Sequence, residues 1–104
     1  MLNQSIAVSV CLVNYNSKDY TLRCIESIYR QTTGLNVEVI LVDNGSSDGS
    51  VVAVRQAFPA VRVIANEKNL GFSAANNQGA RQSAGRSILF LNNDTILKNN
   101  AIVI

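Results

Sequence analysis

Four apolar runs set the rhythm of the chain: IAVSVCLV at 6–13, VEVILV at 37–42, VRVIA at 61–65 and SILFL at 87–91. They are rich in β-branched residues and nearly continuous rather than alternating, as strands covered on both faces are. The intervening stretches change period. From a cap at Ser17 or Asp19 to about Gln31, the positions Leu22, Ile25, Ile28 and Tyr29 keep helical spacing, and Gly34 terminates the run. Asp48 is placed to cap a helix over Val51 to Phe58, which Pro59 stops. Gly71 to about Ala84 reads as a helix of small residues ended by Gly85, with Ala74, Ala75, Gly79 and Ala80 forming a face that packs close to a sheet. Thr95 opens a turn before an apolar tail, Ala101 to Ile104.

Strand and helix alternate throughout, which predicts an α/β fold with a mostly parallel sheet and helices on both faces. No linker, repeat or low-complexity stretch divides the chain. The apolar end, AIVI, has no polar finish, so the expectation is the first part of a longer chain, cut after the fourth strand. A fourth strand left open at its edge then predicts a homo-oligomer formed through the C-terminal edge.

Composition narrows the classes. The 104 residues suit one domain or part of one, with 47% hydrophobic and 15% charged residues. The net charge is +2, and the basic residues are scattered with little aromatic interleaving, which argues against nucleic acid as a partner. The absence of histidine excludes a His-based triad and a Cys/His zinc site in this segment. Cys11 and Cys24 fall at apolar-patterned positions and read as buried thiols. A reducing, cytoplasmic setting is expected, a compartment that includes the inner face of the membrane. The N-terminal stretch lacks the basic region of a signal peptide, and no run reaches the ~18 apolar residues of a membrane span.

The candidate chemistry lies where the strands end. Asn14, Tyr15 and Asn16 follow the first strand, Asp43, Asn44 and Gly45 the second, Asn66, Asn69 and Gly71 the third, and Asn92, Asn93 and Asp94 the fourth. In a parallel sheet these ends share one edge, where open α/β sheets bind ligands. Each loop alone is an ordinary turn; together, with two carboxylates, they favour a site. The phosphate-cradling patterns GxGxxG and GxxxxGK[ST] are missing. Asp43 is suited to accept from a base-ring N–H, and Asp94 to hold Mg²⁺ or Mn²⁺ alongside diphosphate oxygens. One acid for the base and one for a metal-diphosphate suits a nucleotide-sugar donor. Tyr15 is suited either to stack on a base or to fill the rim.

The segments VSVCLVNYNSKDYTLRCIESI, VEVILVDNGSSDGS and NEKNLGFSAANNQGARQSAGRSILFLNNDT resemble the N-terminal, nucleotide-binding part of a family 2 glycosyltransferase. The resemblance covers residues 8–95, and is strongest to the bacterial branch of rhamnosyl- and galactosyltransferase-like enzymes. It implies the Rossmann-like GT-A fold. It also implies that Val13, Asn14, Tyr15 and Asn16 lie along the base and that Asp43 bonds it. Asn69, Gly71 and Asn76 would pack beside the nucleotide, and Asn92, Asn93 and Asp94 would stand at the DxD position with the metal on Asp94. Asn92 replaces the first acid of DxD, which predicts weak or ligand-dependent metal binding.

The implied activity is inverting transfer of a sugar from a UDP- or dTDP-sugar to a glycan or lipid-linked acceptor. The family's general base lies beyond the DxD position, so this segment is expected to hold the donor and not to catalyse transfer alone. Two other classes remain at this level: a sugar-phosphate nucleotidyltransferase, which would want a Gly-rich basic loop in place of NYNSKD, and a non-catalytic module of the same fold.

Overall fold

The computed structural model describes residues 5–98 and 102. The elements are β1 (Val8–Asn14), α1 (Lys18–Gln31), β2 (Val37–Asp43), α2 (Ser50–Ala57), β3 (Arg62–Ala65), α3 (Phe72–Gln82) and β4 (Ser87–Phe90). The strands form one sheet in the order β3-β2-β1-β4, and every pairing is parallel. The α/β class and the parallel sheet thus agree with the pattern of the sequence, but only β1 and β2 are covered on both faces; β3 and β4, expected to be covered likewise, are half-buried or exposed.

The period of two along each strand separates the faces. Val8, Val10 and Leu12 of β1 join Val39 and Leu41 of β2 in one core with Cys24, Ile25 and Ile28 of α1 and Val54 of α2. Burying a Leu or Ile side chain stabilises by roughly 1.5–3 kcal/mol, so the fully buried Leu12, Ile25, Ile28 and Leu41 anchor this layer. On the opposite face α3 packs on β1 and β2 through small residues. A Cβ added to Gly79 would lie 3.3 Å from Cys11 Sγ and 3.6 Å from Val42 Cγ2, so the glycine lets the helix settle onto the strands. Because α3 covers β1 and β2, Ile88 and Phe90 on the same face of β4 stay 42% and 49% exposed.

The N-terminal strand edge is fastened by Glu38. Its Oε2 accepts from Ser9 Oγ at 2.6 Å and from the Ala84 N–H at 2.7 Å, and Arg62 pairs with Oε1 at 3.3 Å. Arg62 also donates to the Gln82 carbonyl at the end of α3. Burial pushes the Glu38 carboxyl up, but these bonds and the guanidinium outweigh it and leave the pKa below its ordinary value.

Several local expectations are corrected. α3 begins at Phe72, because Gly71 has φ +90° and cannot be its first helical residue. Neither Ser17 nor Asp19 caps α1; the Lys18 N–H instead donates to Asp48 Oδ2 at 3.0 Å, across 30 residues of chain. The other oxygen, Oδ1, accepts the Ser50 N–H at 3.0 Å, so Asp48 serves the N-termini of both α1 and α2 while Gly49 occupies the cap position of α2. Tyr29 lies at the margin of the core, 36% exposed, with its ring 6.0 Å from that of Phe58. Asn14 and Asp43 end β1 and β2 as a registered pair, where the apolar pattern had stopped one residue earlier. Of the apolar tail only Ile102 is described, packed against the core; residues 101, 103 and 104 lie outside the described residues.

Candidate functional site

β1 is central, with β2 and β3 to one side and β4 to the other. The chain therefore reverses its direction of winding between β1 and β4, and the carboxyl ends of those strands flank the crevice where such sheets take ligands. An open cleft of about 340 Å³ lies there. Six expected residues line it: Val13, Tyr15, Asn69, Asn92, Asn93 and Asp94. Ser17, Phe72 and Leu91 line it too and were not singled out as site residues from the sequence, and so does Asn44, which the sequence offered among the strand-end polar residues without a role of its own. Tyr15 and Phe72, 51% and 60% exposed, give the cleft an aromatic rim, while Asn92 and Asp94 give it a polar side.

Asn14 and Asp43 form a buried layer behind the cleft. Asp43 is 1% exposed. Its Oδ1 accepts from Asn14 Nδ2 at 2.7 Å and from Ser46 Oγ at 2.7 Å, and its Oδ2 accepts from the Ser46 N–H at 2.8 Å. The Asn14 amide is bonded on both sides: Nδ2 also reaches Ser46 Oγ at 3.1 Å, and Oδ1 accepts from Thr21 Oγ1 at 2.8 Å and the Ser17 N–H at 3.3 Å. A charge taken from water is tolerable when its oxygens are bonded in this way. Oδ2 has a single donor among the described residues, which leaves it the acceptor capacity that a ring N–H would need.

Asn16, Gly71 and Asn76 do not line the cleft. Asn16 has φ +50° and accepts the Ser47 N–H at 2.8 Å, joining the loops after β1 and β2. Asn76 is half-buried on α3. Gly71 lies in the segment that Asn44 holds: Asn44 Nδ2 donates to the Gly71 carbonyl at 3.3 Å, and its Oδ1 accepts from Asn66 Nδ2 at 3.1 Å. Asn69 turns its own Oδ1 onto the Gly71 N–H at 2.8 Å. Asn44 thus shapes the cleft wall from a position that the sequence presents as an ordinary turn residue.

The turn after β4 closes through Thr95 N–H to the Asn92 carbonyl at 3.0 Å. It rests on three α1 residues spaced three apart. Thr21 Oγ1 accepts from Asn93 Nδ2 at 3.0 Å, the Cys24 thiol donates to the Asn92 carbonyl at 3.8 Å, and Ser27 Oγ accepts the Leu97 N–H at 2.9 Å. Burial pushes the Cys24 thiol up to about 11, against a lowering bond at Thr95 and with a further rise from the Asp94 charge. Cys11 is raised as well, chiefly by burial. Both thiols are free and buried, as their apolar setting predicts.

A cation would meet a sparse donor set. Among the described residues no three His, Cys, Asp or Glu side chains are grouped to hold a metal. Asp94 is an exposed carboxylate on the cleft, with the amides of Asn92 and Asn93 beside it. Mg²⁺ or Mn²⁺ commonly takes one or two carboxylates and completes its shell with phosphate oxygens and water. These residues fit a cation shared with a bound diphosphate rather than one caged by protein.

The glycosyl transferase family 2 profile matches residues 9–102, nearly the whole chain. The chain belongs to glycosyl transferase family 2. Within the family it is similar to glycosyltransferase GlyG of Streptococcus pneumoniae, with 37% identity over 98 residues, 91% of this chain and 32% of that protein. Mannosyltransferase PcManGT from Pyrobaculum calidifontis, solved with GDP-Man and Mn²⁺, superposes with a TM-score of 0.82 at 23% identity over 93% of this chain and 30% of its own. S. aureus TarS 1-349, solved with UDP-GlcNAc, gives a TM-score of 0.81 at 24% identity over 90% of this chain and 28% of its own. The chain spans under a third of the length of the curated relatives GlyG and a Haemophilus influenzae glycosyltransferase.

Proposed function

We propose that this chain forms the donor half of a glycosyltransferase that takes its sugar from a nucleoside diphosphate. The observation that carries the reading is the cleft between β1 and β4, with an aromatic rim at Tyr15 and Phe72 and a lone acid, Asp94, on its polar side. A base stacks on the rim, worth about 1–3 kcal/mol per stacked base. Asp43 accepts from the base-ring N–H behind it, and Val13, Asn14 and Asn16 hold the backbone along that edge. Asn69, Gly71 and Asn76 shape the flank beside the nucleotide.

At the other end Asp94 would hold Mg²⁺ or Mn²⁺ together with the donor diphosphate, with Asn92 and Asn93 beside it. When bound, the cation neutralises the charge that develops on the leaving diphosphate. The protein's own part is to orient the donor so that its anomeric carbon faces an acceptor hydroxyl. Asp94 would be engaged by that cation and Asp43 is buried, so neither is placed to deprotonate that hydroxyl. The general base and the acceptor pocket belong to the remainder of a longer enzyme, and the acceptor is a glycan or a lipid-linked glycan. Asn92 in place of a first acid is the feature that favours the rhamnosyl- and galactosyltransferase-like branch. Two unpaired thiols favour a cytoplasmic enzyme.

Calorimetric titration with UDP, dTDP and GDP, each with and without Mn²⁺, tests the reading. Uridine and thymidine nucleotides, which share the ring N–H, are expected to bind; Asp43→Ala weakens both, and Asp94→Ala removes the metal dependence. Binding that is indifferent to both substitutions would sink the assignment.

A further inference from the structure

Asn93 is separated from Asp43 by a chain of hydrogen bonds whose donors all point the same way. Asn93 Nδ2 donates to Thr21 Oγ1 at 3.0 Å, Thr21 Oγ1 donates to Asn14 Oδ1 at 2.8 Å, and Asn14 Nδ2 donates to Asp43 Oδ1 at 2.7 Å. The direction follows from chemistry. A carboxylate only accepts, so Asn14 must present its NH₂ to Asp43 and its carbonyl to Thr21. Thr21 has one hydroxyl proton, and the Asn14 carbonyl takes it. Thr21 then only accepts from Asn93, which turns the Asn93 NH₂ towards Thr21, occupies one of its two N–H groups and directs Oδ1 to the opposite side of the amide. Thr21 is fully buried, and Asn14 is held from its other flank by Ser46 and the Ser17 N–H, so no solvent competes for these positions.

We propose that Thr21 is a positioning residue through which the charge of Asp43 fixes the orientation of the Asn93 amide, so that the amide turns its oxygen towards the cleft beside Asp94. An acceptor there suits a ribose hydroxyl or the shell of a hard cation; an NH₂ group in the same place would repel the cation. The effect reaches Asn93 across the β1–α1–β4 interface, and bonds in series polarise one another. This rests on the donor-site reading above. It adds that the base end and the metal end of that site are coupled through a buried helix residue.

Two measurements test it on the protein with Thr21→Val, which keeps the side-chain shape and removes the hydroxyl, and with Thr21→Ser, which keeps the hydroxyl. With UDP, Thr21→Val is expected to lose about five- to tenfold in affinity measured with Mn²⁺, to lose less without it, and Thr21→Ser is expected to recover most of that loss. Equal affinities for wild type and Thr21→Val would overturn the coupling, while failure of the wild type itself to bind any nucleotide would overturn the donor-site reading.

The second measurement needs no ligand. In the wild type, Asn93→Ala is expected to shift the side-chain amide NMR signals of Asn14, and in the Thr21→Ser background to shift them similarly. Asn14 signals that ignore Asn93→Ala would overturn the relay. If Thr21→Val fails to fold, the Asn93→Ala shifts in the wild-type and Thr21→Ser backgrounds still decide it.

Discussion

Asn14 and Asp43 are Cα partners at the last rung of the β1–β2 ladder, and their side chains are joined by a buried 2.7 Å hydrogen bond. Two strands whose partners are apolar from Val10–Val39 to Val13–Val42 therefore end in an amide–carboxylate pair, and the pair forms the rear layer of the cleft. Replacing Asn14 by Leu keeps the side-chain branching and leaves Asp43 Oδ1 without its amide donor. A loss of about 2 kcal/mol in urea unfolding is expected, since a buried charge loses a bond. Nucleotide affinity should fall with it.

Glu38 makes stability depend on acid. Its folded pKa lies below its ordinary value of 4.5, so its contribution is present in full above that value and is lost as pH falls through the depressed folded one. Unfolding followed across this acidic window should show stability dropping as pH falls. Glu38→Gln should flatten the slope there, at the cost of lower stability near neutrality.

Two glycines separate crowding from backbone strain. A Cβ on Gly85 would lie 2.6 Å from the Ser9 N and 2.7 Å from its Oγ, so something must move. A Cβ on Gly34 would meet nothing within 4 Å, but φ there is +80°. Gly34→Ala should cost about 1 kcal/mol for left-handed backbone, and Gly85→Ala about 2–3 kcal/mol through overpacking. Thermal denaturation of the two variants measures the difference.

The thiols should be slow. Cys24, pushed up to about 11, and Cys11, also raised by burial, carry little thiolate at pH 8. A thiol reagent such as DTNB should leave both unmodified on the timescale in which it labels the urea-unfolded protein.

Ile88 and Phe90 leave an apolar strip on the uncovered face of β4, the outermost strand beyond β1. Such a strip favours association between copies. Light scattering is expected to report a dimer or larger species, and Phe90→Lys to shift it towards monomer.

The pattern of the sequence determined the layers of this fold. Continuous β-branched runs call for cover on both faces, which β1 and β2 receive, and a glycine such as Gly79 on a helix of small residues allows that helix to approach the strands. The strand-end polar residues were legible for the same reason, because a parallel sheet brings its carboxyl ends to one edge. What only the tertiary structure decided is which of those residues face the cleft. Asp43 and Asn14 go beneath it because the β1–β2 ladder continues through them. Asn44 enters its wall because the loop after β3 folds back onto it. Asp48 serves two helices, because a cap can be supplied by a carboxylate distant in sequence. Thr21, Cys24 and Ser27 read as ordinary helix residues until the turn after β4 comes to rest on them. Hydrogen-bond partners depend on distances between segments, and those distances arise only when the layers have packed.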